Sequence, residues 1–373
     1  MIKKIALVIL GIICSLLIIS ILIVVVSRLI SFFIYDIKSK QGIQESSFIE
    51  IGGIQQFISI RGEDKENPLV IFLHGGPGSP MTFVSHNYQK DLEKDFTFVN
   101  YDQRGCGRTY YKNKNTSYEI SQEILLKDLC QIVEYCKKRF NKEKVIIMGH
   151  SNGTSFGLEY VKKHPENVET YIGIGQLVNA RQGDIFTAKN ALPLLTDAEK
   201  RNLLEKTIAD YEKIDNYANF NTETFSTLRL LSHPFFKGEK EITPVEQIWL
   251  GIKSPYMNLA DIRWFFTMTN MELLFQLTSP LLSYSFFEFD IYKTIGTNFQ
   301  VPINFISGEK DCTTPTSMVQ EYYEKVQAPK KNIFLLKECG HSPMLDDVQA
   351  FTEAFKLSCK KWFFVQHFFY ICV

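Results

Sequence analysis

Ser151 lies in Gly149-His150-Ser151-Asn152-Gly153, one hydroxyl between two glycines at the end of the apolar run Val145 to Met148. A G-x-S-x-G turn between a buried strand and a helix exposes the serine on a sharp bend, and its glycines let strand and helix cross closely. A serine hydroxyl is a poor nucleophile at neutral pH and needs a base at hydrogen-bond distance. That base needs an acid on its other nitrogen to set its tautomer and orientation. Among seven histidines, His341 alone follows a late strand in a loop, Glu338-Cys339-Gly340-His341-Ser342-Pro343. Asp311 follows the strand before it, with Glu309 as its rival. Serine, acid, histidine is a chain order that can build such a triad.

Acyl transfer also creates an oxyanion, which needs preorganised N–H donors. The backbone N–H of Asn152, next after the serine, is one candidate. Gly75 or Gly76, in His74-Gly75-Gly76-Pro77-Gly78 after an earlier strand, supplies the other. The remaining histidines read as structural. His150 is packed or hydrogen-bonded beside the serine, and His74 shapes its loop. His86, His164, His233 and His367 take surface or helix-end positions.

These residues need a scaffold that brings distant segments to one edge. Two strands joined at Gly52-Gly53 read as a hairpin. Leu69 to Leu73 is a continuous apolar run, expected of a strand covered on both faces. Strands then alternate with helical patterns through Ile174. The alternation stops from about 178 to 297, a stretch helical in character and rich in Trp and Phe, and resumes at Val301. Strand–helix alternation predicts a mostly parallel sheet with helices on both faces, and its glycine-rich loops follow the carboxyl ends of strands, where such sheets bind ligands.

Five segments taken together, FLHGGPGSP, DQRGCGRT, GHSNGT, FISGEKDCTTP and CGHSP, resemble the prolyl aminopeptidase (proline iminopeptidase) branch of the α/β-hydrolases, peptidase family S33. The likeness covers about residues 50–178 and 300–358. It implies an α/β-hydrolase fold with Ser151 as nucleophile, Asp311 and His341 as its partners, and a helical cap inserted before the last strands. Asp102 and Arg104 would tie loops near the site. Two departures stand out. The family usually has Trp after the serine, where this chain has Asn152. The cap acids that hold a substrate's free amine have only Glu246, Glu272 and Glu288 as candidates here. The implied activity is an aminopeptidase on short peptides, with a carboxylesterase or lipid-active hydrolase as alternative and a non-catalytic binding protein of the same fold as a further competitor. This chemistry calls for no metal or organic cofactor.

The formal net charge is zero and no basic stripe is present, which speaks against a nucleic-acid partner. Eight cysteines lack metal-ligand spacing and read as free thiols. Ile5 to Ser27 carries no charge and is long enough for a helix to cross ~30 Å of hydrocarbon. It is too long for a signal-peptide core, and Val24-Val25-Val26-Ser27-Arg28 is a poor cleavage site. The expectation is a single-pass anchor at 1–30, a linker at 31–46, hydrolase core at 47–177 and 298–373, and a cap at 178–297. Lys3 and Lys4 favour an inside N-terminus and an extracytoplasmic catalytic domain, against the opposing pull of Arg28, Lys38 and Lys40. The aromatic tail from Trp362 is too short to span a bilayer and reads as a last helix or a sticky terminal segment.

Overall fold

The structure is a computed structural model that describes residues 2–360 and 368–371. Among the described residues nine strands, β1 (Ile43–Ile51), β2 (Ile54–Gly62), β3 (Leu69–Leu73), β4 (Thr97–Tyr101), β5 (Val145–His150), β6 (Val168–Ile174), β7 (Ile303–Gly308), β8 (Lys331–Leu336) and β9 (Phe368–Ile371), form one sheet. Their order is β1-β2-β4-β3-β5-β6-β7-β8-β9. The β1–β2 and β2–β4 pairs are antiparallel, and all others are parallel. This is the α/β-hydrolase fold expected from the sequence. The β1–β2 connection is two residues, Gly52 and Gly53, both at positive φ (58° and 75°), which a tight primed hairpin turn requires.

The apolar runs of the inner strands alternate between two cores. Ile71 and Leu73 pack with Leu125, Leu129 and Ile132 of the helix Gln122–Phe140 and with Phe156 of the helix Gly153–Lys163. Val70 and Phe72 pack on the opposite face with Phe98, Phe351 and Phe355, the last two from the helix Val348–Cys359. A strand covered on both sides has no solvent face, so every position can be apolar. Of the tail, the described residues Phe368–Ile371 are a strand that adds to β8 in parallel register.

Between β6 and β7 the chain is helical. Its main helices are Ala180–Ala191, Ala198–Lys213, Thr222–Ser232, Pro244–Lys253, Leu259–Thr269 and Met271–Leu277. They enclose a separate core of Leu204, Tyr211, Phe225, Leu228, Trp264 and Phe275. Buried polar contacts tie this layer to the sheet, among them two from the segments after β3 and β4. Arg108 makes a two-pronged ion pair with Asp261 (2.8 and 2.6 Å). Trp264 donates its indole N–H to the Gly78 carbonyl at 2.8 Å.

Among the described residues, one helix, Ile2–Tyr35, is long and apolar enough from Lys4 to cross a membrane, with a mean hydropathy of 3.3 in its most apolar 18-residue stretch. It runs past the expected anchor boundary because nothing in Leu29 to Tyr35 breaks a helix. Its end is also fastened: the Tyr35 carbonyl accepts from Arg61 (2.6 Å) and from the Tyr256 hydroxyl (3.4 Å). With β1 beginning at Ile43, the connecting segment is shorter than the 31–46 anticipated.

Arg104, in the loop after β4, pairs with Asp128 through two 2.9 Å bonds and also reaches the Gly52 carbonyl. Both charges are almost fully buried. Removing one partner leaves the other uncompensated in a low-dielectric setting. Asp128→Ala is therefore expected to lower stability by ~3–5 kcal/mol, read as a reduced urea midpoint with an unchanged m-value.

Candidate active site

β5 delivers Ser151 at φ +53°, and the helix Gly153–Lys163 starts two residues later. The Ser151 N–H donates to the Ile174 carbonyl of β6 at 2.9 Å, which fixes the bend to the neighbouring strand. A left-handed conformation at a non-glycine residue is strained and needs such outside restraint.

His341 and Asp311 come from the loops after β8 and β7. His341 Nε2 lies 2.8 Å from Ser151 Oγ, and its Nδ1 lies 2.9 Å from Asp311 Oδ2. A carboxylate can only accept, so Nδ1 carries the proton and Nε2 is left to accept the serine hydroxyl's hydrogen bond. Asp311 is buried. Burial alone would raise its pKa, but the His341 imidazole and the Thr314 donors outweigh it and hold the carboxyl below its ordinary value. The N–H groups of Thr313 and Thr314 each donate to Asp311 Oδ1 at 2.9 Å, and the Thr314 hydroxyl donates to Oδ2 at 2.7 Å. Glu309 is exposed, and its carboxylate faces the Glu338 N–H instead. Sequence reasoning passed over Thr314, although an Asp followed by Thr three positions on is a turn that satisfies the carboxylate.

Gly75 presses on the serine: a Cβ there would sit 2.7 Å from Ser151 Cβ, which no real side chain could do. Among the described residues, the N–H groups of Gly76 and Asn152 have no protein acceptor. The Asn152 side chain donates to the Ser285 hydroxyl of the helical layer, and that hydroxyl passes a bond to the Leu281 carbonyl at 2.8 Å.

A cavity of about 650 Å³ opens over Ser151, and a smaller chamber of about 200 Å³ adjoins it. Met81, Phe83, Ile252, Met257, Phe265 and Met268 give the larger one an apolar wall. Among the described residues, no carboxylate side chain lines either chamber. Arg229 lines both. It is held by Asp184 through Nε and Nη2 (2.9 Å each) and lies 4.3 Å over the Phe225 ring. No sequence periodicity pointed to it. Glu246, Glu272 and Glu288 lie exposed on the outside of the helical layer, away from both linings.

A profile of the alpha/beta hydrolase fold family matches residues 68–348. The chain is 27% identical over 331 residues to the probable aminopeptidase YbaC of Bacillus subtilis (strain 168), spanning 84% of this chain and 96% of that one. It is 25% identical over 310 residues to a proline iminopeptidase of Heyndrickxia coagulans, spanning 82% and 94%. The crystal structure of a proline iminopeptidase of Mycobacterium smegmatis superposes with a TM-score of 0.57 at 16% identity, covering 84% of this chain and 96% of that one.

The other histidines divide differently from expectation. His86 is buried rather than exposed, with its ring 4.9 Å from Tyr35 and 6.1 Å from Tyr256. His367 lies outside the described residues. His150 donates from Nε2 to the His341 carbonyl at 3.0 Å, and burial depresses its pKa to about 3. His74 donates from Nδ1 to the Gly75 carbonyl, accepts the Gln103 N–H at Nε2, and is lowered by burial to about 4. The unfolded chain takes up a proton on histidine near pH 6.5 while folded His74 stays neutral. Its contribution to stability is therefore complete above pH 6.5 and is lost as pH falls towards 4, at about 1.4 kcal/mol per pH unit. His74→Gln keeps one donor and one acceptor. It should flatten the fall in unfolding free energy between pH 6.5 and 4.5 by that slope, measured by denaturant titration at several pH values.

Proposed function

Because this chain belongs to the α/β-hydrolase fold family, we propose that it is a membrane-anchored serine hydrolase working through an acyl-Ser151 intermediate. The observation that carries this is the pair of short contacts, Ser151 Oγ to His341 Nε2 and His341 Nδ1 to Asp311. As Oγ attacks a carbonyl carbon, its proton passes to Nε2 and the imidazolium is stabilised by the Asp311 carboxylate. The developing oxyanion takes hydrogen bonds from Asn152 and from Gly75 or Gly76. Collapse breaks the bond to the amine or alcohol, which leaves with the proton from Nε2. Water, deprotonated by the same nitrogen, then releases the acid and restores Ser151.

The similarity to the Bacillus subtilis aminopeptidase and to the Heyndrickxia coagulans proline iminopeptidase favours an aminopeptidase of proline iminopeptidase type acting on short peptides. A second reading, an esterase for apolar acyl groups, draws on the chamber itself: its wall is Met, Phe and Ile, and among the described residues no carboxylate there meets a free amine. The helix from Lys4 supplies the anchor, and Lys3 and Lys4 orient it with the catalytic domain outside the cytoplasm.

Ser151→Ala should abolish labelling by a fluorophosphonate probe, and equal labelling of the two proteins would remove Ser151 from its role. Asp311→Asn should leave the fold intact and lower kcat by roughly 10³–10⁴, whereas Glu309→Gln should leave it within a few-fold of wild type. A panel of aminoacyl amides against short acyl esters separates the two substrate readings. Turnover of esters alone would set the peptidase reading aside.

A further inference from the structure

The apolar helix at the N-terminus is not a free tether. Arg61, itself paired with Glu93 at 2.8 Å, donates to the Tyr35 carbonyl, and its guanidinium lies 4.5 Å over the Tyr256 ring. Arg28 donates to the Met257 carbonyl, in the turn between the helices Pro244–Lys253 and Leu259–Thr269. Ile23 and Ser27 line a groove with Trp249, Leu250 and Lys253. The helix therefore holds the rest of the molecule at a set height and angle.

That height has a consequence. Ile5 to Leu22 is uncharged and, as helix, spans about 27 Å, close to the ~30 Å of a hydrocarbon core. Residues 23–28, where the cap is docked, then lie at the membrane–water boundary. The cap surface at that level is largely apolar, with Glu246 and Lys253 as the charged members of the same groove. Val245, Ile248 and Trp249 on one helix and Leu259, Ile262 and Phe266 on the next are all exposed, Phe266 by 67%. The Lys253 ammonium lies 6.0 Å over the Trp249 ring, and Trp and Lys together are typical of the interfacial zone. Exposed apolar side chains clustered in this way mark a contact surface.

Ile248, Ile262 and Phe266 also line the cavity over Ser151. The mouth of the cavity is thus part of the same apolar surface. We propose that this cap face is seated in the bilayer surface, and that the active site receives its acyl substrate laterally from the lipid phase. The proposal rests on the acyl-Ser151 reading for the chemistry and on the N-terminal helix as a span for the geometry. A substrate dissolved in the membrane would enter through Ile248, Ile262 and Phe266 without first crossing water, its apolar chain passing from hydrocarbon to a Met- and Phe-lined chamber.

The test uses the full chain in phosphatidylcholine vesicles. Tryptophan emission should be quenched by brominated phosphatidylcholine, and the quenched component should vanish in Trp249→Phe. In parallel, Val245→Glu combined with Leu259→Glu places charge on the face without touching the cavity lining. Hydrolysis of vesicle-borne p-nitrophenyl palmitate should fall about tenfold, while turnover of water-soluble p-nitrophenyl acetate stays at the wild-type level. A Trp249 component that brominated lipid leaves unquenched would overturn the proposal. So would equal hydrolysis of the vesicle-borne ester by variant and wild type. Loss of the serine reading is told apart by the probe: Ser151 would then fail to label, while Trp249 quenching, which needs no turnover, still reports on the docking.

Discussion

The site depends on one close approach of backbones. Gly75, at the end of β3, lies against Ser151, at the end of β5, with no room for even a methyl group between them. The parallel pairing of β3 with β5 sets that distance, since Leu73 and Gly149 are register partners just before the two loops diverge. The bond from Ser151 N–H to Ile174 then locks the bend from the other side through β6. A strained residue is thus caught between two strands that are themselves buried on both faces. The stiffness of the sheet, rather than any single contact, keeps the hydroxyl in line with His341.

The helical layer is fitted to this sheet by a few polar contacts at its rim. Arg108 with Asp261 and Trp264 with Gly78 are buried and directional, so they fix where the layer sits more than how strongly it adheres. The residues between these contacts are apolar and supply the bulk of the packing. Arg108 also lies 4.2 Å over the Phe57 ring of β2, so the edge of the sheet and the cap share one cation.

Much of the fold was legible because its signals are local. Each inner strand is a short apolar run, and each site residue follows the carboxyl end of one. Ser151, Asp311 and His341 could be picked from the sequence on that basis, and the structure brings their side chains within hydrogen-bond distance. What escaped was set by long-range packing. Arg108 and Asp261 are far apart in sequence and belong to different layers, and no pattern joins them. Arg229 reaches the chamber from an amphipathic helix on which it looks like any surface cation. The N-terminal helix was readable as apolar, but its fastening through Arg61 and Tyr256 lay in residues with no local cue. His86 was misplaced for the same reason: the partners that bury it, Tyr35 and Tyr256, come from the two ends of that fastening.

The bond from Asn152 to Ser285 joins the turn bearing the serine to the helical layer above it. Lifting that layer would strip the Asn152 side chain of its hydroxyl partner, whereas the Ser151 N–H would keep its bond to Ile174. The roof is thus coupled to the neighbour of the serine and not to the serine's own backbone, so a shift overhead would be felt first in the wall of the smaller chamber.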